Sequence, residues 1–297
     1  MTDASPRRVA LTPWALRAVW ATLPFTAGPA LSAALHHRDL PLRTTASIGL
    51  WAVWAVVLVA TLVPHPVAMT VVRIGAPAAV AASVVALWAR DAPPAARPMA
   101  LVWTALAATA GLSASAGAWF VNGPAYANER RYPLRVAGPL LLGPLELAWA
   151  LVVAGPAAAL ALLASRQWVL GGLVAVVGLP VAVVLARALH SLGRRWLVFV
   201  PAGLVIHDPV ALADPVLFRR ELVEALRPAP AGSDSLDLTQ AAPGLALELL
   251  LTEKVPMTLV QPGKRSGEAG SSARLLFTPT RPGALLADAA SRRLPVG

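Results

Sequence analysis

The side chains best able to do chemistry here are the few charges set inside apolar stretches: Arg17, Arg73, Glu146 and Arg187. A charge in hydrocarbon is costly unless paired or hydrated, so such residues mark either a polar layer or a route to the interface. Arg73 lies seven residues into the apolar stretch that begins at Pro66, and Glu146 seven residues into the one that begins at Pro139. At about 1.5 Å per residue, both fall roughly 11 Å below the same membrane face. The spacing predicts an Arg73–Glu146 ion pair with Arg17 and Arg187 beside it. Such a layer can hold a bundle together, line a transport path or accept an anionic head group. Separate snorkelling of each arginine is the plainer alternative.

Other chemistry is thinly represented. His36-His37 with Asp39 is the one histidine cluster in the sequence, and adjacent residues rarely point at a single ion, so no metal is assigned. There is no HExxH, P-loop or GxGxxG pattern. The absence of cysteine excludes disulfides, thiolate metal sites, iron–sulfur clusters and a cysteine nucleophile. Ser113, in a Gly111-Leu112-Ser113-Ala114 step, and His190 loosely resemble the dyad of rhomboid-type intramembrane proteases. His190 falls too near the end of its stretch to match the depth of Ser113, and no histidine or asparagine cluster precedes them to stabilise an oxyanion. A small residue in a packed helix explains Ser113 better. No catalytic residue and no cofactor are assigned, and an intramembrane hydrolase is kept only as a remote reading.

The elements that would position these residues follow from composition. The chain is 57% hydrophobic and 13% charged, about half the charged share usual for a soluble protein. Its character changes at Arg194-Arg195. Residues 1–195 hold fifteen arginines and five carboxylates, and residues 196–297 hold ten basic and ten acidic residues, so the net charge of +10 belongs to the first part. All ten tryptophans lie at or before Trp196. Apolar stretches long enough to cross a bilayer run over 14–35, 46–63, 66–88, 99–121, 139–164 and 168–191, which predicts about six transmembrane helices in a domain spanning 1–195. Pro24 and Pro29 make the first of these the weakest. Seven arginines (7, 8, 130, 131, 135, 194, 195) against five (38, 43, 90, 97, 166) place both termini in the cytoplasm. Tryptophans near span ends (14, 88, 119, 168, 196) fit interfacial anchors, and Ala107, Gly111 and Ser115 form a small-residue stripe.

The loop 121–138 is the densest polar segment of this part. Asn122, Tyr126, Glu129, Arg130, Arg131 and Tyr132 are candidates to contact the tail or a ligand, although a positive-inside loop accounts for the arginines alone.

The tail, 196–297, reads as short β runs: 196–200, 203–207, 216–226, 235–239, 245–251, 257–260 and 273–278. A flexible loop is predicted over 261–272, and a short helix after Arg281-Pro282-Gly283. The phrases RRWLVFVPAGLVIHDPVALADPVLFRRELV, LLFTPTRPGALLADA and NGPAYANERRYPLR resemble the bacterial PH-like domains attached to multi-pass membrane proteins of actinobacteria. That resemblance implies a pleckstrin-homology-like barrel of seven strands capped by a C-terminal helix, with no catalytic residues. The neutral tail argues against phosphoinositide binding and against nucleic acid. The expected fold is therefore a membrane α-helical bundle followed by a small β-rich PH-like barrel with a C-terminal helix. The expected role is a multi-pass protein of the bacterial inner membrane whose cytoplasmic PH-like domain recruits a protein partner. Anionic lipid head groups would meet its arginine clusters. Transport or lipid handling through the Arg73/Glu146 layer is the alternative.

Overall fold

The structure, a computed structural model, describes residues 6–89, 91–126, 128–261 and 267–297. The part expected of Arg90 and of the side chains of Arg7 and Arg8 in setting orientation lies outside the described residues, as does 262–266 of the predicted flexible loop. The chain divides into two units. A helical unit runs to Gly123 and resumes over Glu146–Leu189; a β unit comprises Pro124–Leu145 and His190–Gly297. The division differs from a simple split at 195/196 because Pro124–Leu145 groups with the tail.

The helical unit contains α1 (Pro6–Ala21), α2 (Leu23–Thr26), α3 (Gly28–Leu35), α4 (Leu40–Leu62), α5 (Pro66–Ala86), α6 (Ala96–Leu112), α7 (Ala114–Asn122), α8 (Pro144–Ala164) and α9 (Trp168–Leu192). Pro24 and Pro29 stand in the first turns of α2 and α3, where a missing N–H is harmless but the preceding helix cannot continue. The first expected span is therefore three short helices. By length and composition α4, α5, α8 and α9 can each cross a membrane, and α6–α7 make a fifth span if taken together, bent by 54°. Among the described residues, four to five helices that could span a membrane thus stand where six were expected.

The bend has a local cause. Ser113 is extended (φ −62°, ψ 148°), its hydroxyl donates to the Ala110 carbonyl at 2.7 Å, and its Oγ accepts from the Ala116 N–H at 3.1 Å. It is the N-cap of α7, a satisfied structural role that accounts for the hydroxyl. The break also interrupts the small-residue stripe. Ala107 and Gly111 do allow close packing, since a Cβ on Gly111 would stand 2.8 Å from Val72 on α5, but Ser115 falls beyond the bend.

Indole N–H groups stitch the helices. Trp20 donates to the Trp54 carbonyl and Trp54 to the Trp20 carbonyl, at 2.9 and 3.0 Å, joining α1 to α4. Trp103 reaches the Thr22 hydroxyl and Trp149 the Ile74 carbonyl. In an apolar solvent such bonds are among the few directional forces between helices. Leu16, Trp20, Met69, Val72 and Phe120 fill the interior, while α8 and α9 leave Leu147, Val169, Val176 and Val184 on the outer surface, as lipid contact requires.

The β unit has eight strands among the described residues: β1 (Arg130–Pro133), β2 (Trp196–Val200), β3 (Gly203–His207), β4 (Val216–Arg219), β5 (Val223–Pro228), β6 (Leu236–Asp237), β7 (Leu247–Leu259) and β8 (Glu268–Phe277). They form two four-stranded sheets, ordered β1-β2-β3-β4 and β5-β7-β8-β6. A C-terminal helix, α10 (Pro282–Ser291), packs on the shared core through Leu285 and Ala289. Alternation supplies that core: Leu197, Phe199, Leu204, Ile206 and Phe218 from the first sheet meet Leu226, Leu247, Leu249, Leu275 and Phe277 from the second. The sheets stay as two separate ladders.

Three expected runs are redrawn. The run 216–226 is cut by a 3₁₀ turn, Arg220–Leu222, where the chain leaves one sheet for the other. The runs 245–251 and 257–260 fuse into β7 across an irregularity between Leu250 and Val255. Pro256 is tolerated because pairing with β5 ends at Leu251 and the bridge to residues 211–213 begins only at Thr258, so the ladder on that side needs no N–H donor at Pro256. Within the predicted flexible loop, Glu268–Ser272 is already strand β8.

Candidate functional site

The predicted intramembrane layer is not brought together. Arg17, on α1, donates from Nε to the Thr61 carbonyl at 2.9 Å, and its guanidinium lies 4.8 Å from the Trp14 ring and 5.0 Å from the Trp119 ring. Arg73, on α5, has a buried Nε with no hydrogen-bond partner, and its Nη2 fills the space where a Cβ on Gly117 of α7 would come within 2.9 Å of it. No ion pair joins it to Glu146. Residues 138–142 form a 3₁₀ turn and Gly143 takes φ +131°, so the helix proper begins at Pro144. Glu146 therefore sits in the first turn of α8, exposed and near the positive helix end, rather than seven residues deep. Arg187 is exposed on α9.

The loop residues fare differently. Asn122 ends α7, its side-chain amide donating to the Ala118 carbonyl. Tyr126 is exposed, and its N–H donates to Glu129 at 3.4 Å. Arg130, Arg131 and Tyr132 form β1, antiparallel to β2, with Arg131 opposite Val198 and Tyr132 opposite Leu197. Tyr132 points inward, stacks edge-on against Phe199 and donates to Asp288 of α10 at 3.0 Å. Burial and the Asp288 carboxylate push its phenol pKa up. The strand is held at its far end as well: the Leu134 N–H donates to Arg195, the Arg135 N–H to Thr278, and the Thr280 N–H to Pro133.

Arg195 is the residue that sequence reasoning misjudged. Paired with Arg194 it reads as a surface cation at a membrane edge. It is in fact buried, donating from Nε and Nη2 to both oxygens of the equally buried Asp208, and from Nη1 to the Arg135 carbonyl at 2.9 Å. Only Arg194 remains exposed. An Arg followed thirteen residues later by an Asp beyond a hairpin was the available signal. Trp196 likewise is no anchor, being buried in the β unit.

The outward face of the first sheet collects the remaining chemistry. Residues opposite one another share a face, so Trp196 meets His207, and Arg131, Val198 and Val205 form a row. Arg131 lies 5.6 Å over the Trp196 ring and 3.4 Å from Glu129. Together with Arg194 and Val200 they line an open groove of about 280 Å³. His207 Nε2 is buried there without a partner. Burial, then Arg194, and Arg131 beyond it hold the imidazole pKa down against the opposing pull of Asp208, which keeps the ring neutral. Cations, an indole face and an unsatisfied imidazole nitrogen are recognition groups, and the lining places no nucleophile beside a base.

A second recess, about 400 Å³, is lined by Asn128, Pro201, Asp288, Ser291 and Arg292. Its polar groups are already spent on one another: Arg292 donates to Asp288 and to the Asn128 carbonyl, both at 3.1 Å. It fastens α10 to the segment leading into β1. At one end of the helical unit, His36, His37 and Asp91 form a further cluster.

Set against protein-family models, curated proteins and solved structures, the chain matches none.

Proposed function

We propose that this is a multi-pass protein of the bacterial inner membrane whose helical unit anchors a cytoplasmic β unit, and that the β unit recruits a protein partner without catalysing a reaction. The observation that carries the proposal is the groove on the outward face of the first sheet, where Arg131 and Arg194 flank Trp196 and a neutral His207. Charge complementarity favours a partner segment that presents a carboxylate beside an aromatic or aliphatic side chain. A PH-like topology suits the architecture: leaving aside the two-residue β6, seven strands and a closing helix remain, with β1 supplied by the segment between α7 and α8. Arg187 and Arg194, exposed near the end of α9, are suited to anionic head groups. The transport reading loses its ion pair, since Glu146 stands at the start of α8.

Site-specific photo-crosslinking in intact membranes tests the proposal. A probe at Val205 should give discrete protease-sensitive adducts that disappear in Arg194→Glu. Adducts with lipid alone, or an identical pattern from a probe at Lys254, would overturn it.

A further inference from the structure

The geometry points to a divalent transition-metal site at His36, His37 and Asp91. The two histidines follow α3, and Asp91 lies in the connection between α5 and α6, more than fifty residues along the chain. Their ligand atoms all lie within 4.8 Å of one another, with His36 Nδ1 3.8 Å from Asp91 Oδ2 and His37 Nε2 in direct contact with that same oxygen. Ligands about 2.0–2.1 Å from a tetrahedral zinc stand roughly 3.3 Å apart, so small side-chain rotations close the set. The rings are perpendicular, 5.1 Å between centroids, which turns two adjacent residues toward one point from different directions. That arrangement answers the usual objection to neighbouring histidines. The sequence alone pairs them with Asp39; the fold supplies Asp91 instead.

Two imidazoles and one carboxylate are a borderline nitrogen–oxygen donor set, suited to Zn²⁺ and also to Cu²⁺ or Ni²⁺, while Mg²⁺ and Ca²⁺ favour all-oxygen shells. All three side chains are at least half open or nearly so (69%, 73% and 48% exposed), so water completes the coordination and the ion can exchange. A bound ion would clamp the turn before α4 to the connection before α6. The site stands on these residues alone and does not depend on the role of the β unit.

Full-length protein in detergent, stripped with chelator and titrated with Zn²⁺ by calorimetry, should bind one ion per chain. His37→Ala and Asp91→Asn should each weaken binding at least about tenfold, and His190→Gln should leave it unchanged. Cu²⁺ paramagnetic resonance should show coupling to two nitrogens, falling to one in His36→Ala, which reports ligation in folded protein. Failure of folded wild-type protein to bind Zn²⁺, or undiminished binding in a triple variant at 36, 37 and 91, would overturn the assignment.

Discussion

Arg195 and Asp208 form a two-pronged ion pair, 2.7 Å on each prong, with both side chains withdrawn almost wholly from solvent. A third donor of Arg195 reaches the Arg135 carbonyl, so the pair ties the hairpin of β2 and β3 to the segment after β1. Removing one partner strands a buried charge. Asp208→Asn should therefore cost about 3–5 kcal/mol, read as a fall in the urea midpoint at which the β unit becomes protease-sensitive. Exchanging both residues for apolar ones of similar size should recover most of the loss.

The β unit should fail without its borrowed strand. Replacing residues 128–134 by a Gly/Ser linker exposes the edge of β2 and removes Tyr132 from the core. The expected outcome is rapid proteolysis of 196–297 in membranes, whereas Tyr132→Phe, which loses the hydroxyl's bonds to Asp288 and to the Ala284 carbonyl but keeps the ring in the core, should cost about 1 kcal/mol. A protease-resistant tail in the linker variant would contradict this.

Acidification should weaken the β unit in two windows. His207 has a folded pKa below its unfolded value of about 6.5, so its contribution is present above that pH and is lost as pH falls through the folded value. Replacing His207 by Phe should remove the loss of stability that sets in as pH falls below about 6.5. Glu248 is pushed up by burial, but hydrogen bonds from Ser233, Ser235 and Arg227 hold its carboxyl down overall. Its contribution is present above the ordinary glutamate value and is lost as pH falls through the lower folded value, and Glu248→Gln should remove that second loss.

Pairing of β1 with β2 requires that Arg130 and Trp196 share one side of the membrane, so α8 and α9 must cross as a pair. Reporters inserted beside Asn128 and fused after Gly297 should therefore give the same compartment, and that compartment should be the cytoplasm. Opposite readings would exclude the sheet as drawn.

Arg73 and Glu146 should behave independently. Arg73→Gln and Glu146→Gln combined should show a coupling below about 0.5 kcal/mol in a double-mutant cycle on thermal unfolding, because the two side chains form no ion pair.

Much of the architecture could be read from local pattern. The ranges 196–200 and 203–207 coincide with β2 and β3, and the helix expected after Pro282 is α10, because alternation, a Pro-Ala turn and a proline start are all encoded within a few residues. β1 was not legible as a strand. Four residues ending in proline carry no alternation, and their partner lies more than sixty positions away. The depth of Glu146 was misjudged for a local reason that the sequence does display: Gly138-Pro139 and Gly143-Pro144 punctuate an apolar run whose composition alone looks continuous. The His36/His37/Asp91 cluster was invisible because it depends on which distant connections the fold lays side by side, whereas the Arg195–Asp208 pair lies one step beyond the legible β2–β3 register.

The interleaving of strands and helices also fixes an order of manufacture. Arg130–Pro133 leaves the ribosome before α8 and α9, and Trp196–Val200 after them, so the first sheet cannot close until that helical hairpin has been inserted and turned back. A chain whose hairpin stalled halfway would hold the two strands on opposite sides of the bilayer, each without its mate. On the proposed topology, completion of the β unit therefore depends on correct insertion of the hairpin, because β1 and β2 flank it in the chain.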